Sequence, residues 1–328
     1  MTEVVTAPPE RPAFRDRTAG LILFGIVHIL FGLVCAGFIL LMAVMSELGA
    51  RRGGGTQLPT YVFATNVVIY GLFALYFFSV GIGSIRRRRW ARALALVVSW
   101  MWLIVGLLTA VVLGVMMPRL MKNMPADGAN IVMIVTLVTV CVLYILVPAV
   151  ILLGYRGPNV KATVEHYDRK VRWTDRAPLP VLAVVLLLAT GSISLLASTA
   201  YATIPIGATI VTGVPAMIIC LAFAGLLAFL ALGFYRLKLS AWWSLLLLQV
   251  IGAGVGAYTL LHTDFDELYT KMGVMTPQLR QLGITEMYRD PVLWIPAGIG
   301  WLLFLSFLLW LRRYFVGAEP RTRAADSV

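Results

Sequence analysis

Seven stretches of the chain carry no charged residue: Thr18–Ser46, Gly53–Ile85, Ala93–Pro118, Gly128–Tyr155, Ala177–Tyr235, Leu239–Thr263 and Pro291–Leu311. A bilayer core of ~30 Å takes about 20 helical residues to cross. Six of the runs fit one span each. The fifth is 59 residues long and fits two, with a break expected as a tight turn at Thr203–Gly207 (TIPIG). The pattern predicts an all-α integral membrane protein with eight transmembrane helices.

One polar stretch, Tyr155–Pro178 (YRGPNVKATVEHYDRKVRWTDRAP), splits these spans four and four. The expected organisation is a tail over 1–17, a four-helix membrane half over 18–155, an amphipathic bridge over 156–178, a second four-helix half over 179–316 and a tail over 317–328. With the N-terminus inside, the inner segments hold 20 of the 27 Lys and Arg residues and the outer loops hold 7. Basic residues collect on the cytoplasmic side of short loops. Bridge and both termini are therefore expected in the cytoplasm. Within the bridge, Pro158-Asn159 is a helix start signal with Asn159 as N-cap. Val160, Val164, Tyr167 and Val171 then share one helical face. The expectation is a short helix lying on the inner leaflet, with Trp173 at headgroup level and an extended run into Pro178.

The halves match at an offset of 150 residues: Phe73-Ala74 with Phe223-Ala224, Gly83 with Gly233, Arg86 with Arg236, Arg88 with Lys238, Ala91 with Ala241, and Gly106 with Gly256. Ser99 and Gln249 keep the same register. Two halves with an even number of spans each form parallel repeats about an axis along the membrane normal. Gly252 and Gly256 make a GxxxG in the seventh span. Gly106, Ala110 and Gly114 are the counterpart in the third, and such spacing lets backbones approach within lipid. The hydroxyls of Thr190, Ser192, Ser194, Ser198 and Thr199 form a stripe on the fifth span, read as bonds back to helix carbonyls.

Composition supports the membrane reading. The chain is 60% hydrophobic and 13% charged, with a net charge of +12, where soluble domains have about 25% charged residues. Its basic residues sit between apolar runs rather than along one face, which excludes nucleic acid as a partner and leaves the lipid bilayer. Cys35, Cys141 and Cys220 all fall inside apolar runs, as small hydrophobes without disulfide or metal spacing. The first 17 residues are too long, Pro-rich and acidic for a signal-peptide n-region, so the first run is expected to remain as a membrane helix.

FRDRTAGLILFGIVHILFGL at Phe14–Leu33 and NVKATVEHYDRKVRWTDRAPLPVL at Asn159–Leu182, with its Arg172-Trp173-Thr174-Asp175 run, resemble an uncharacterised group of bacterial multi-pass membrane proteins. The resemblance implies the topology and a bacterial source, and carries no activity.

Candidate chemistry is sparse. No Asp, Glu, Lys or Arg falls inside a predicted span, whereas ion-coupled carriers usually keep such groups near the midplane. His28 lies ~12 Å into the first span, far from His262 at the opposite face. The pair cannot ligate one haem iron, and His28 is read as a neutral packing residue. Met116, Met117, Met121, Met124, Met272 and Met275 cluster on the outer side, as apolar filler rather than a Cu(I) site. In the last outer loop, Asp264, Asp266 and Glu267 open one short helix and Thr276-Pro277 a second. No phosphate loop, nucleophile elbow, HExxH or paired-carboxylate motif is present, and no cofactor, metal or catalytic residue is assigned. Loops of this length are commonly functional or disordered, and the two start signals argue for order, so Tyr269, Met272, Met275, Leu279 and Leu282 form the candidate partner or lid surface. The expected function is that of an accessory subunit docking other membrane-protein subunits or a second copy; the alternative is a carrier or channel for an apolar or uncharged solute. A polar-lined cavity between the halves would select the carrier. A dry core with an exposed packing face would select the subunit.

Overall fold

A computed structural model describes residues 14–51, 60–120, 126–275, 280, 288, 292 and 294–316. The order is α1 (Thr18–Arg51), α2 (Thr60–Ile85), α3 (Arg89–Leu120), α4 (Ala126–Val140), a π-helical turn (Cys141–Leu146), α5 (Val147–Arg156) and α6 (Pro158–Tyr167). A 3₁₀ turn (Trp173–Asp175) and α7 (Leu179–Ser198) follow. After a second 3₁₀ turn (Thr199–Tyr201) come strands β1 (Thr203–Ile206) and β2 (Thr209–Thr212). The chain continues as α8 (Val214–Tyr235), α9 (Leu239–His262), α10 (Phe265–Lys271) and α11 (Trp294–Val316). Among the described residues, eight helices are long and apolar enough to cross a membrane, with α4, the π turn and α5 forming one of them as Asn130–Arg156. The multi-pass α-helical architecture expected from the charge-free runs is the one observed.

Each half opens with a tightly packed antiparallel pair. Where α1 crosses α2, a Cβ on Gly25 would stand 2.8 Å from the Gly81 carbonyl oxygen, and one on Gly81 would stand 2.8 Å from that of Gly25. Only hydrogen fits at both positions. Helices α2 and α8 end in the same way. The amide of Arg88 bonds the Gly83 carbonyl and that of Arg87 bonds Ser84, while Lys238 bonds Gly233 and Leu237 bonds Phe234. These are two Schellman caps, each with its left-handed residue at φ 53°, Arg87 and Leu237, 150 positions apart.

Two cores form, one per half. In the first, Leu21, Val80, Leu96, Ile151, Leu152 and Tyr155 surround the start of α3. In the second, Trp242 packs among Phe234, Leu245, Leu308 and Phe315 and its indole N–H donates to the Leu308 carbonyl at 2.8 Å. A small cluster of Ala93, Val97 and Leu182 joins the halves at α3 and α7. Outward side chains stay apolar, Leu40 at 68% and Phe229 at 71% exposure, as lipid-facing helices require.

Several expectations are corrected. Asn159 does not cap α6: Gly157 does, and Pro158 takes the first helical position, where its missing N–H costs nothing. Helix α6 buries Val160, Thr163 and Val164 against the first core instead of resting on a leaflet. It ends at Tyr167, so Val171, 71% exposed, lies beyond its apolar face. The run before Pro178 is a 3₁₀ turn, not an extended segment. The expected turn at Thr203–Gly207 is an antiparallel hairpin pairing Thr203 with Thr212 and Ile206 with Thr209. Its TIPI and TIVT strands are β-branched and short, and they merged into the apolar 59-residue run. Gly106 does serve close packing, since a Cβ there would strike the Tyr144 backbone in the π turn. Gly114, Gly252 and Gly256 do not: among the described residues nothing lies within 4 Å of a Cβ built on any of them.

Candidate functional site

The four-and-four split leaves a crevice of about 750 Å³ between the halves, walled by α3, α7 and α11. From α3 come Trp100, Met101, Ile104 and Leu108, from α7 Ala183 and Leu187, from α11 Phe304 and Phe307. It runs ~24 Å along α3 from Arg92 to Leu108, at 1.5 Å per residue. At its far end a Cβ on Gly300 would stand 3.4 Å from Leu108, so the helices close there. Trp100, Ile104 and Val105 are each about half exposed, which opens the crevice sideways. A solute reaching it from lipid meets apolar walls along nearly the whole length.

Its polar atoms gather at the bridge end, where Arg92 and Arg156 line the mouth together with Leu179 and Pro180. Arg92 is fixed by donating its Nε–H to the Tyr155 carbonyl at 3.0 Å. That carbonyl belongs to the last turn of α5, where no intrahelical donor is available. Tyr155 in turn shares a 2.6 Å hydrogen bond between its hydroxyl and Ser84 Oγ. The rim thus stands on a buried network rather than on a surface loop.

Neighbouring charges are already engaged. Asp168, 3% exposed, accepts from Arg172 Nη2 at 2.9 Å and Nε at 3.0 Å, from the Arg89 amide at 3.3 Å, and pairs with Arg88 at 3.6 Å. Burial alone pushes its carboxyl up, but those hydrogen bonds and positive charges outweigh it and hold it below the usual carboxylate range. Arg89 also reaches Glu165 at 3.6 Å and Asp175 at 3.3 Å. Arg88 and Arg89, which counted only toward orientation, thereby lock the bridge onto the ends of α2 and α3, while Arg172 braces Asp168 from within the bridge. Among the described residues no acidic side chain forms an ion pair with Arg92 or Arg156 within 4.0 Å.

No family model, no curated protein and no solved structure matches the chain.

Among the described residues, those expected to form an outer partner or lid surface do not line this crevice. Asp264 caps α10 by accepting from the Asp266 and Glu267 amides, and Phe265 and Leu268 of that helix turn inward. Tyr269, Met272 and Met275 are only half-exposed. The Tyr269 hydroxyl meets that of Tyr288 at 3.0 Å, and burial followed by that bond pushes its phenol up. Leu279 and Leu282, with the second expected helix at Thr276-Pro277, lie outside the described residues. The end of this half remote from the bridge is tied by the hairpin: Thr259 Oγ1 accepts from the Gly207 amide at 2.9 Å, and Thr263 Oγ1 donates to the Gly207 carbonyl at 3.0 Å. Gly106 and Gly114 sit on α3 and Gly252 and Gly256 on α9, and these four do not converge. His28 is buried, donates Nδ1–H to the Phe24 carbonyl at 2.7 Å and lies edge-on to Tyr155, the packing role expected of it. Arg92, Arg156 and the crevice walls were not singled out by the sequence; a basic residue at each helix mouth flanking the bridge is the signal that was there.

Proposed function

We propose that this chain is a bacterial inner-membrane protein whose two parallel four-helix halves hold an apolar molecule of the bilayer between them. The observation that carries this reading is the roughly 750 Å³ crevice with apolar walls where the halves meet. Its size falls within the ~300–1,000 Å³ range of ligand pockets. The polar-lined cavity that would select a carrier is not what the lining residues form; these walls favour an apolar guest, so binding of such a molecule, rather than passage of a hydrophilic solute, is the activity. The 20-to-7 distribution of basic residues supports cytoplasmic termini and a cytoplasmic bridge. The matched Schellman caps at Arg87 and Leu237 support the internal repeat. The resemblance of the bridge supports the bacterial source. Protein purified in mild detergent should retain bilayer-derived molecules detectable by native mass spectrometry. Ile104→Trp, which fills the crevice from an exposed wall position, should strip them, and unchanged retention would contradict the reading.

A second reading, an accessory subunit of a membrane complex, is favoured by one observation. The Gly252/Gly256 face of α9 has no neighbour within the described residues, and such a face suits a helix from another subunit or a second copy. Blue-native electrophoresis of wild type against Gly256→Leu tests it: loss of a higher-order band supports docking there, and an unchanged pattern removes the argument.

A further inference from the structure

The crevice has a direction. Its walls are apolar from Trp100 to Phe304, and its positive charge is confined to Arg92 and Arg156 at the bridge end. A purely apolar guest would make no use of the two guanidinium groups at this end. Arg92 commits its Nε to the Tyr155 carbonyl, which leaves its terminal nitrogens, each a donor pair, for another acceptor. Glu165 bears on Arg92 through its charge, but its carboxylate already pairs with Arg89 at 3.6 Å and Lys161 at 3.9 Å. Arg156, on the exposed side of the last turn of α5, supplies a second fork. The twenty-residue helix α7 begins beside them with Leu179 and Pro180 in the crevice wall. Its N-terminus has no side-chain cap and carries Pro178 and Pro180, which have no N–H, so its dipole rather than a run of free amides adds positive potential.

Resting on the reading of the crevice as an apolar binding site, we propose that its occupant is an anionic phospholipid of the leaflet on the bridge side. The phosphate sits between Arg92 and Arg156, and an acyl chain lies along α3 toward Leu108. Guanidinium groups match phosphate bidentately, and the charge complementarity sets the polarity of insertion, headgroup toward the bridge and tail toward Gly300. A zwitterionic lipid fits the same walls but carries a compensating ammonium, so the two classes separate by headgroup.

The test is lipid titration of the full-length protein in neutral detergent by native mass spectrometry. Phosphatidylglycerol and phosphatidylcholine of identical acyl chains are compared on wild type, Arg156→Gln, Arg92→Gln with Arg156→Gln, and Ile104→Trp. Wild type should prefer phosphatidylglycerol by ten-fold or more. Each arginine removed should cost roughly five-fold for that lipid and little for phosphatidylcholine, while Ile104→Trp weakens both. The exposed Arg156 keeps the test usable if the double variant fails to fold. Equal binding of both lipids, with Ile104→Trp still blocking them, would overturn the headgroup assignment and leave the apolar site standing. Binding of both lipids untouched by Ile104→Trp would overturn the site itself. Competition by water-soluble glycerol phosphate as effective as that by phosphatidylglycerol would overturn the assignment to a lipid.

Discussion

Arg92 Nε donates to the main-chain carbonyl of Tyr155 at 3.0 Å, joining the first turn of α3 to the last turn of α5. At the position 150 residues on, Trp242 makes the corresponding move, its indole N–H donating to the Leu308 carbonyl of α11. One half thus closes its third-to-fourth span contact with an apolar ring. The other closes it with a cation that keeps nitrogens to spare, and the crevice opens beside that cation.

Removing the cation should therefore cost more than its charge. Arg92→Ala leaves the Tyr155 carbonyl without its donor at a half-buried site, and hydrogen bonds involving charged groups are worth about 1.5–3 kcal/mol. Arg156→Ala, exposed and without an ion-pair partner, should stay within about 0.5 kcal/mol of wild type. Thermal unfolding in detergent checks both. Equal midpoints for the two variants would show that the Arg92–Tyr155 bond holds nothing in place.

Packing of α1 on α2 gives the second expectation. Gly81→Leu or Gly25→Leu forces apart two backbones that leave no room for a Cβ, and overpacking costs about 1–3 kcal/mol. Gly256→Leu, with open space around it, should leave the stability of the isolated chain unchanged. A larger loss from Gly256→Leu than from Gly81→Leu in monomeric detergent-solubilised protein would contradict this ordering.

The bridge should detach in acid. Asp168 has its carboxyl held below the usual range, and the unfolded value is about 3.9. A depressed folded pKa means that its contribution is fully present above the unfolded value and is lost as pH falls through the folded one. Protection of the bridge from a protease active in acid should therefore hold at pH 5 and above and fail progressively below pH 4. Asp168→Asn should lower protection already at neutral pH and flatten that dependence. Protection in Asp168→Asn that still matches wild type across the range would place the latch elsewhere.

Orientation has its own check. Reporters inserted after Arg176 should report the cytoplasm, and reporters near Gly273 the other side, as the basic count requires. An external signal from the bridge would invert the orientation.

The spans were legible because a bilayer imposes a length and an absence of charge that one dimension records fully. The bridge was legible for the same reason. Its packing was not, because Val160 and Val164 satisfy an amphipathic face equally well on lipid or on Ile151 and Leu152. GxxxG at Gly252 and Gly256 states that a backbone can approach and names no partner; Gly106 does meet the Tyr144 backbone, but the approach of Gly25 against Gly81 has one glycine on each helix and leaves no spacing signal. The hairpin strands were hidden in an apolar run, where period two and period 3.6 are indistinguishable over four residues. The crevice is the least legible feature of all. It exists only where α3, α7 and α11 fail to fill the space among them, and Arg92 and Arg156 looked like two more members of the basic inner face.

The most direct measurement is photo-crosslinking in native membranes with a phospholipid carrying a diazirine in its acyl chain, followed by peptide mapping. An occupied crevice places adducts on Trp100, Met101 and Phe304, and Ile104→Trp removes them while adducts on lipid-facing Leu40 and Phe229 persist. Adducts confined to the outward faces, with none on the three crevice residues, would show that no lipid enters between the halves.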